Sequence, residues 1–348
     1  MNNEQQQIEF AFVAELPITP TVKKTRRKRT VTPIAPVAPV ALPAETDNNA
    51  EAMARVLEAH PDYRVLRRLQ PRLNWPEPVP GQTIRHVLLL DTETTGLNQG
   101  KDKIIELAML RMDVDIASGL PVGLAQVYDG LEDPGMPISQ EIEALTGIST
   151  AMVCNQRLDE ARIAELLADV DLVIAHNADF DRPFAEARIP QFCNLAWACS
   201  LADIDWKEQG RNSAKLESLA LELGYFYDAH RAEMDCHALL AILARPLPRS
   251  DSTGLAHLMA KAEQPSYRLY ASNAPFDAKD KLKARGYRWS AEQKVWSTRI
   301  NGMPALQAEC DWLKENAYNR YAAIVQFEEL DAKLRYANRP AKMVQRQL

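Results

Sequence analysis

The sequence predicts an α/β protein: a mixed sheet flanked by helices, with a smaller α+β domain after it. Three observations carry this. Apolar runs at residues 87–90, 104–112 and 121–128 read as three strands joined by short connections, and so as an antiparallel meander. A fourth apolar run, 171–175, follows a stretch of helical periodicity and precedes more of it. Strands first, then alternating helix and strand, place helices on the faces of one sheet. From about residue 262 the composition changes, which marks the second domain.

Taken in order, residues 1–50 read as a disordered tail. Lys23, Lys24, Arg26, Arg27, Lys28 and Arg29 fall within seven residues. Such a run either touches nucleic acid through non-specific charge or is simply solvated. Residues 32–43 are rich in Pro, Ala and Val and read as an extended linker. Gln7, Ile8, Glu9 and Phe10 could serve as a short docking peptide. Residues 51–69 read as a helix or helical pair, because Met53, Val56, Leu57, Val65, Leu66 and Leu69 recur at helical spacing, with Pro61 interrupting them. Pro71, Pro76, Pro78, Pro80 and Gly81 then form a stiff connector, closing the segment 51–82.

The main domain spans residues 83–247. After the three strands come short helices at 135–153 and an amphipathic helix at 158–167. The fourth strand ends at His176. A helix from about Asp179, a short strand near 195–199 and helices at 214–223 and 232–243 complete it. The second domain, residues 262–348, reads as a strand at 267–271 and a helix at 275–285, with Pro275 at its start and Gly286 at its end. A hairpin turns around 290–293, a helix covers 304–316, and the tail after Tyr318 reads as another helix. Between residues 265 and 300 eight Lys/Arg stand against three Asp/Glu, with six aromatics among them. Basic residues interleaved with aromatics suit single-stranded nucleic acid. Trp289 and Trp296 are read first as that small domain's own core, since about fifty residues need large side chains to bury enough area.

Composition excludes some classes. A net charge of -6 over 348 residues is not that of a basic nucleic-acid coat, so any such binding must come from local patches. Five scattered cysteines without a C-x-x-C pair argue for reduced thiols, against a disulfide framework or zinc cluster. No stretch of about 18 apolar residues exists, so no membrane is expected. The first residues lack a charged start followed by an apolar run, and the expected compartment is the cytoplasm.

The chemistry concentrates where the first strand ends. Asp91 and Glu93 are two apart and so point to the same side of it. Carboxylates that close repel each other in a partly buried place, and a divalent cation relieves the repulsion. The plain alternative is a strand end with two solvated acids. His176, Asn177, Asp179 and Asp181 sit where the fourth strand passes into a helix; His230 and Asp235 sit where a loop enters the last helix of the domain. Loops outside strand ends of an α/β sheet share one crevice. Singly, an Asp near a helix start is more often a cap, and His230 alone is more often a surface or core histidine than a catalyst.

Together these residues resemble the DEDDh exonucleases, the family of the epsilon proofreading subunit of bacterial DNA polymerase III, ribonuclease T and oligoribonuclease. Asp91, Thr92, Glu93, Thr94, Thr95 and Gly96 are similar to the family's D-x-E-T-T-G. His176 to Asp181 resembles its H-N-x-x-F-D, which makes Asp181 the matching acid and Asp179 a bystander. His230 and Asp235 resemble its H-x4-D, and residues 138–152 its I-x-x-L-T-G-I segment. The likeness covers about residues 85–244. It implies a ribonuclease H-like fold and a metal-dependent 3′-5′ exonuclease acting on single-stranded or frayed DNA 3′ ends. Asp91 would bridge two Mg²⁺ or Mn²⁺ ions, Glu93 and Asp235 would complete the tighter site, and Asp181 would hold the second ion. His230 would be the general base, while Thr94, Thr95, Gly96 and Leu97 would offer backbone donors and an apolar surface to the last nucleotide. RNA is the alternative substrate, and a non-catalytic accessory subunit of a polymerase or repair complex the alternative role. His176, Asn177 and Phe180 are read as structural.

Overall fold

The computed structural model describes residues 47–319 and 322–348. The basic run, residues 7–10 and the linker at 32–43 lie outside the described residues. The chain divides into residues 1–56 and 57–348. The first contributes most of α1 (Asp47–Glu58), whose Met53 and Val56 are exposed.

In the second unit the elements run β1 (Arg67–Arg68), β2 (Ile84–Thr94), β3 (Ile104–Asp115), β4 (Leu120–Leu131), α2 (Gln140–Thr146), α3 (Thr150–Val153), α4 (Glu160–Leu167), β5 (Leu172–Ala175), α5 (Ala178–Arg188), β6 (Trp197–Cys199), α6 (Leu216–Glu222), β7 (Tyr225–Phe226), α7 (Ala232–Leu243) and α8 (Gly254–Ala262). They continue with β8 (Ser266–Ala271), α9 (Lys279–Ala284), β9 (Arg288–Ser290), β10 (Val295–Asn301), α10 (Met303–Trp312), β11 (Ile324–Leu330) and β12 (Met343–Gln347).

The first sheet has the order β4-β3-β2-β5-β6. β2, β3 and β4 are antiparallel neighbours, and β5 and β6 run parallel to β2. This is the mixed sheet expected. β2 lies at its centre because 87–90 are apolar on both faces. Val87 and Leu89 enter one core with Leu239 and Leu243 of α7 and Leu255 of α8. Leu88 and Leu90 enter the other with Ile163 and Leu166 of α4 and Phe184 of α5. Burying each such side chain stabilises by roughly 1.5–3 kcal/mol, so the end of β2 is held from both sides. The Pro-rich connector covers the outer edge of β4: Trp75 N–H donates to Gly123 O, and Ala125 N–H to Leu73 O.

Opposite the acids the ladder slips by one residue. Glu93 faces Glu106 and Thr94 faces Ile104, leaving Ile105 unpaired. The bulge turns Ile105 into a separate cluster with Ile138, Ile148 and Val153.

The second sheet, β12-β11-β8-β10-β9, is antiparallel throughout. Tyr267, Leu269, Tyr287, Ile300, Leu306, Tyr318, Val325 and Phe327 form its core.

Three expectations are corrected. Residues 65–69 are not helical: Pro61 and Pro71 bracket a segment too short for a helix, and β1 pairs in parallel with β7, which buries Leu69 in the first core. The tail after Tyr318 is β11 and β12 rather than a helix. Val325 and Phe327 face the core while Gln326 and Glu328 face the other way, a period of two, and β8 supplies the partner that ordered it. Trp289 is not core: it is half exposed on the edge strand β9, while Trp296 packs partly against the core. The residues between the two expected domains also have a place. α8 packs on the first core, and Gly254 admits Leu243 so closely that a Cβ there would lie 2.6 Å from its side chain.

Candidate metal and nuclease site

Three separate segments converge at the end of β2. Ligand oxygens of Asp91, Glu93 and Asp235 all lie within 4.8 Å of one another. Asp91 and Glu93 share the β2 face that packs on α7, and Asp235 stands in the first turn of α7. Asp181, in the first turn of α5, comes from the opposite face. The Thr92 N–H and hydroxyl donate to its Oδ1 at 3.2 and 2.8 Å. Asp235 is fixed by the Tyr227 hydroxyl (2.7 Å to Oδ1) and by the His230 N–H (2.9 Å to Oδ2).

Electrostatics report crowding. Burial pushes Asp91 well above the usual carboxylate range, and Asp181, Asp235, Glu93 and Glu106 push it further. Burial, with Asp235 and Glu106 next, raises Glu93 to about 8. Asp181 rises to about 7 through burial, in spite of the two hydrogen bonds from Thr92. Asp235 is raised by burial and partly lowered by Tyr227. Carboxylates this short of compensation, within reach of one another, are the donor set that hard divalent cations take. The residues present therefore fit a hard divalent cation.

Four partners of the site escaped the motif reading. Glu106 is fully buried on β3. Arg231 Nη2 and Nε donate to its Oε1 at 2.7 and 3.0 Å, and the Ala232 N–H donates to its Oε2 at 2.8 Å. α7 has no side-chain cap of its own, so an acid from another strand meets its free amide and favourable dipole end. The signal was legible: an acid inside an apolar strand demands a partner. Asp129 on β4 is in register with Ala108 and, across it, Asp91. Burial and Glu106 raise it to about 6. Tyr227 and Arg231 carried no motif signal.

Of the expected substrate contacts, Leu97 is 78% exposed and offers an apolar surface. Gly96 has a steric reason: a Cβ there would lie 2.7 Å from the Asp102 carboxylate, which accepts the Thr95 hydroxyl and the Asn98 N–H. The Thr95 amide is not free for substrate. It donates to Lys103 O at 2.9 Å, because strand-like pairing continues past the bulge. The Thr94 hydroxyl donates to Gly96 O at 2.6 Å. His230 is exposed and its backbone has φ +63°, left-handed for a residue with a side chain. His176 bridges Ser200 Oγ (2.7 Å) and Ala214 O (2.8 Å), and burial lowers it to about 4, so it stays neutral and ties β5 to the following loops. Phe180 packs against the second core beside Phe184. Asp179 pairs with Arg299 of β10.

Residues 88–243 match the exonuclease family RNase_T. This part of the chain is an exonuclease domain of the RNase T, or DEDD, family of 3′-5′ exonucleases. The chain is 28% identical over 198 residues to the PolC-type DNA polymerase III of Thermotoga maritima, a match covering 54% of this chain and 14% of that one. It is 27% identical over 165 residues to the DNA polymerase III subunit epsilon of Treponema pallidum, covering 44% of this chain and 72% of the relative. Among solved structures, exonuclease X in complex with 5′ overhanging duplex DNA is 26% identical, with a TM-score of 0.34, covering 45% of this chain and 89% of that one.

Proposed function

We propose that this chain is a metal-dependent exonuclease that removes nucleotides from the 3′ ends of single-stranded or frayed DNA. One observation carries the reading: carboxylates from β2 and α7 meet within 4.8 Å, with Asp181 from α5 electrostatically coupled to them. Asp91, Glu93 and Asp235 would hold one divalent cation, and Asp91 with Asp181 a second. When bound, two Mg²⁺ or Mn²⁺ ions supply Lewis-acid stabilisation of charge on the phosphate and the departing 3′ oxygen. His230 would take a proton from the attacking water. The water oxygen bonds to phosphorus, the P–O3′ bond breaks, and the 3′ oxygen regains a proton. The products are a nucleoside 5′-monophosphate and a strand with a new 3′-hydroxyl. Leu97 would lie against the terminal nucleotide.

A polymerase or repair complex is the proposed partner class, supported by the relatives named as polymerase III proteins, and the cytoplasm is the proposed compartment. Among the described residues no helix is long and apolar enough to cross a membrane.

The test is a time course on end-labelled single-stranded DNA and RNA of matched sequence, with Mg²⁺, Mn²⁺ or EDTA, beside Asp91→Ala/Glu93→Ala. The expected result is a ladder shortening from the 3′ end of DNA, absent with EDTA and in the double variant. Faster loss of RNA would move the substrate to RNA, and no loss of either would remove the enzyme.

A further inference from the structure

We propose that the β9–β10 hairpin and the start of α9 form a stacking platform for the single strand of DNA that leads into the acidic site. The proposal deepens the exonuclease reading and rests on it for the strand's destination. The aromatics that fold the small domain are accounted for, since Tyr267, Tyr287, Tyr318 and Phe327 fill its core. Two others are left at the surface: Phe276 is 83% exposed, and Trp289 is 51% exposed, its ring 5.5 Å from that of Trp296 on the paired strand.

Cations stand in the same stretch of chain. Arg268, Arg285 and Arg299 are paired with Glu328, Glu309 and Asp179. Lys279, Lys283, Arg288 and Lys294 have no acid within ion-pair distance among the described residues, and the Lys279 ammonium sits 5.8 Å from the Phe276 ring centroid. Three acids, Asp277, Asp280 and Glu292, lie in the same stretch, so the excess is local rather than total. Exposed rings beside unpaired cations are complementary to a strand with bases to stack and phosphates to neutralise.

The platform is also next to the site. β10 carries both Trp296 and Arg299, three residues and therefore about 10 Å apart along the strand. Arg299 meets Asp179, which shares the first turn of α5 with Asp181. Arg288 lies opposite Ser297 and so shares a sheet face with Arg299. Arg299 and Arg288 thus line one face from the mouth of the site to the hairpin edge, and a strand that turns round this edge meets Trp289 and Trp296, which share the other face.

Full-length protein in EDTA, where no strand is cleaved, is titrated into a fluorescein-labelled oligothymidylate of about twenty nucleotides at several salt concentrations. The variants are Trp289→Ala and Arg288→Glu/Lys294→Glu, each first checked for a wild-type melt. The double variant keeps the test intact if loss of the Trp289–Trp296 contact disturbs the hairpin. Both are expected to bind about tenfold or more weakly, and the charge variant to show a shallower dependence on salt. Wild-type affinity in both variants, or tighter binding of the matched duplex than of the single strand, overturns the proposal. Weaker binding by the variants of a chain that cleaves neither polymer upholds the platform and removes the exonuclease reading.

Discussion

Asp91 carries two opposite burdens in the proposed site: it would hold metal, and without metal its buried charge is destabilising. Asp91→Ala or Asp235→Ala should abolish cleavage while leaving the fold intact, because each removes a repulsion that the metal-free protein has to bear. Full activity in either would sink the metal assignment. Burial, with that repulsion added, sets a pH dependence. Glu93 and Asp181 titrate near 8 and 7 in the folded chain, above their ordinary values. The folded state therefore binds more protons than the unfolded state between about pH 4 and 8, and its stability falls as pH rises through that window. Melting in EDTA should show the loss, on the order of 1 kcal/mol or more, and saturating Mg²⁺ should reverse it. A flat profile in EDTA would contradict the crowding. His230→Ala should slow turnover by about 10²–10⁴-fold and leave Mg²⁺ affinity within a few-fold, as calorimetry would read. At this scale the sequence was most legible. Asp91, Glu93, Asp181 and Asp235 stand in short local patterns, and a two-residue spacing on a strand already fixes which side chains share a side. Tyr227 was not legible, since only the folded loop brings its hydroxyl to Asp235.

At the scale of the element, α7 is the part most dependent on another. Its first turn carries Asp235, its preceding loop carries His230 in a left-handed conformation, and both follow from where Glu106 anchors Arg231 and Ala232. Glu106→Ala should cost about 1–3 kcal/mol of stability through the unmet amide and guanidinium, and should also lower kcat, because Asp235 and His230 move with the helix start. Glu106→Gln, which keeps one acceptor, should recover more of the stability than of the rate. A variant destabilised but fully active would show that the anchor serves folding alone. β2 to β5 were readable because their runs are apolar and bounded by turn residues. β1 and β12 were not, because a strand of two residues or an exposed edge strand has no periodicity to detect, and each exists through its partner.

Across the whole molecule, the small domain and the exonuclease domain are joined more tightly than the composition change suggested. Arg182 of α5 is fully buried. Its guanidinium donates to the carbonyls of Ala332, Lys333 and Arg335, and its Nε to Glu186 at 2.7 Å. Tyr336 enters the second core of the exonuclease domain. Removing residues 262–348 should therefore lower the melting temperature of what remains as well as its DNA affinity, because a buried guanidinium loses its acceptors; an unchanged melt would show that the contact is incidental. No local pattern could have announced this, since the partners lie more than a hundred residues apart.

The amide of Trp197, on the edge strand β6, donates to the carbonyl of Ala332 at 2.8 Å. On the ribosome that edge is made long before its cover. At about 5–20 residues per second, the nascent sheet waits on the order of ten seconds with β6 open to any passing strand. Pausing between the codons for the two domains would lengthen that exposure, and faster translation of the second domain would shorten it, so solubility during expression should respond to codon choice far downstream of the active site.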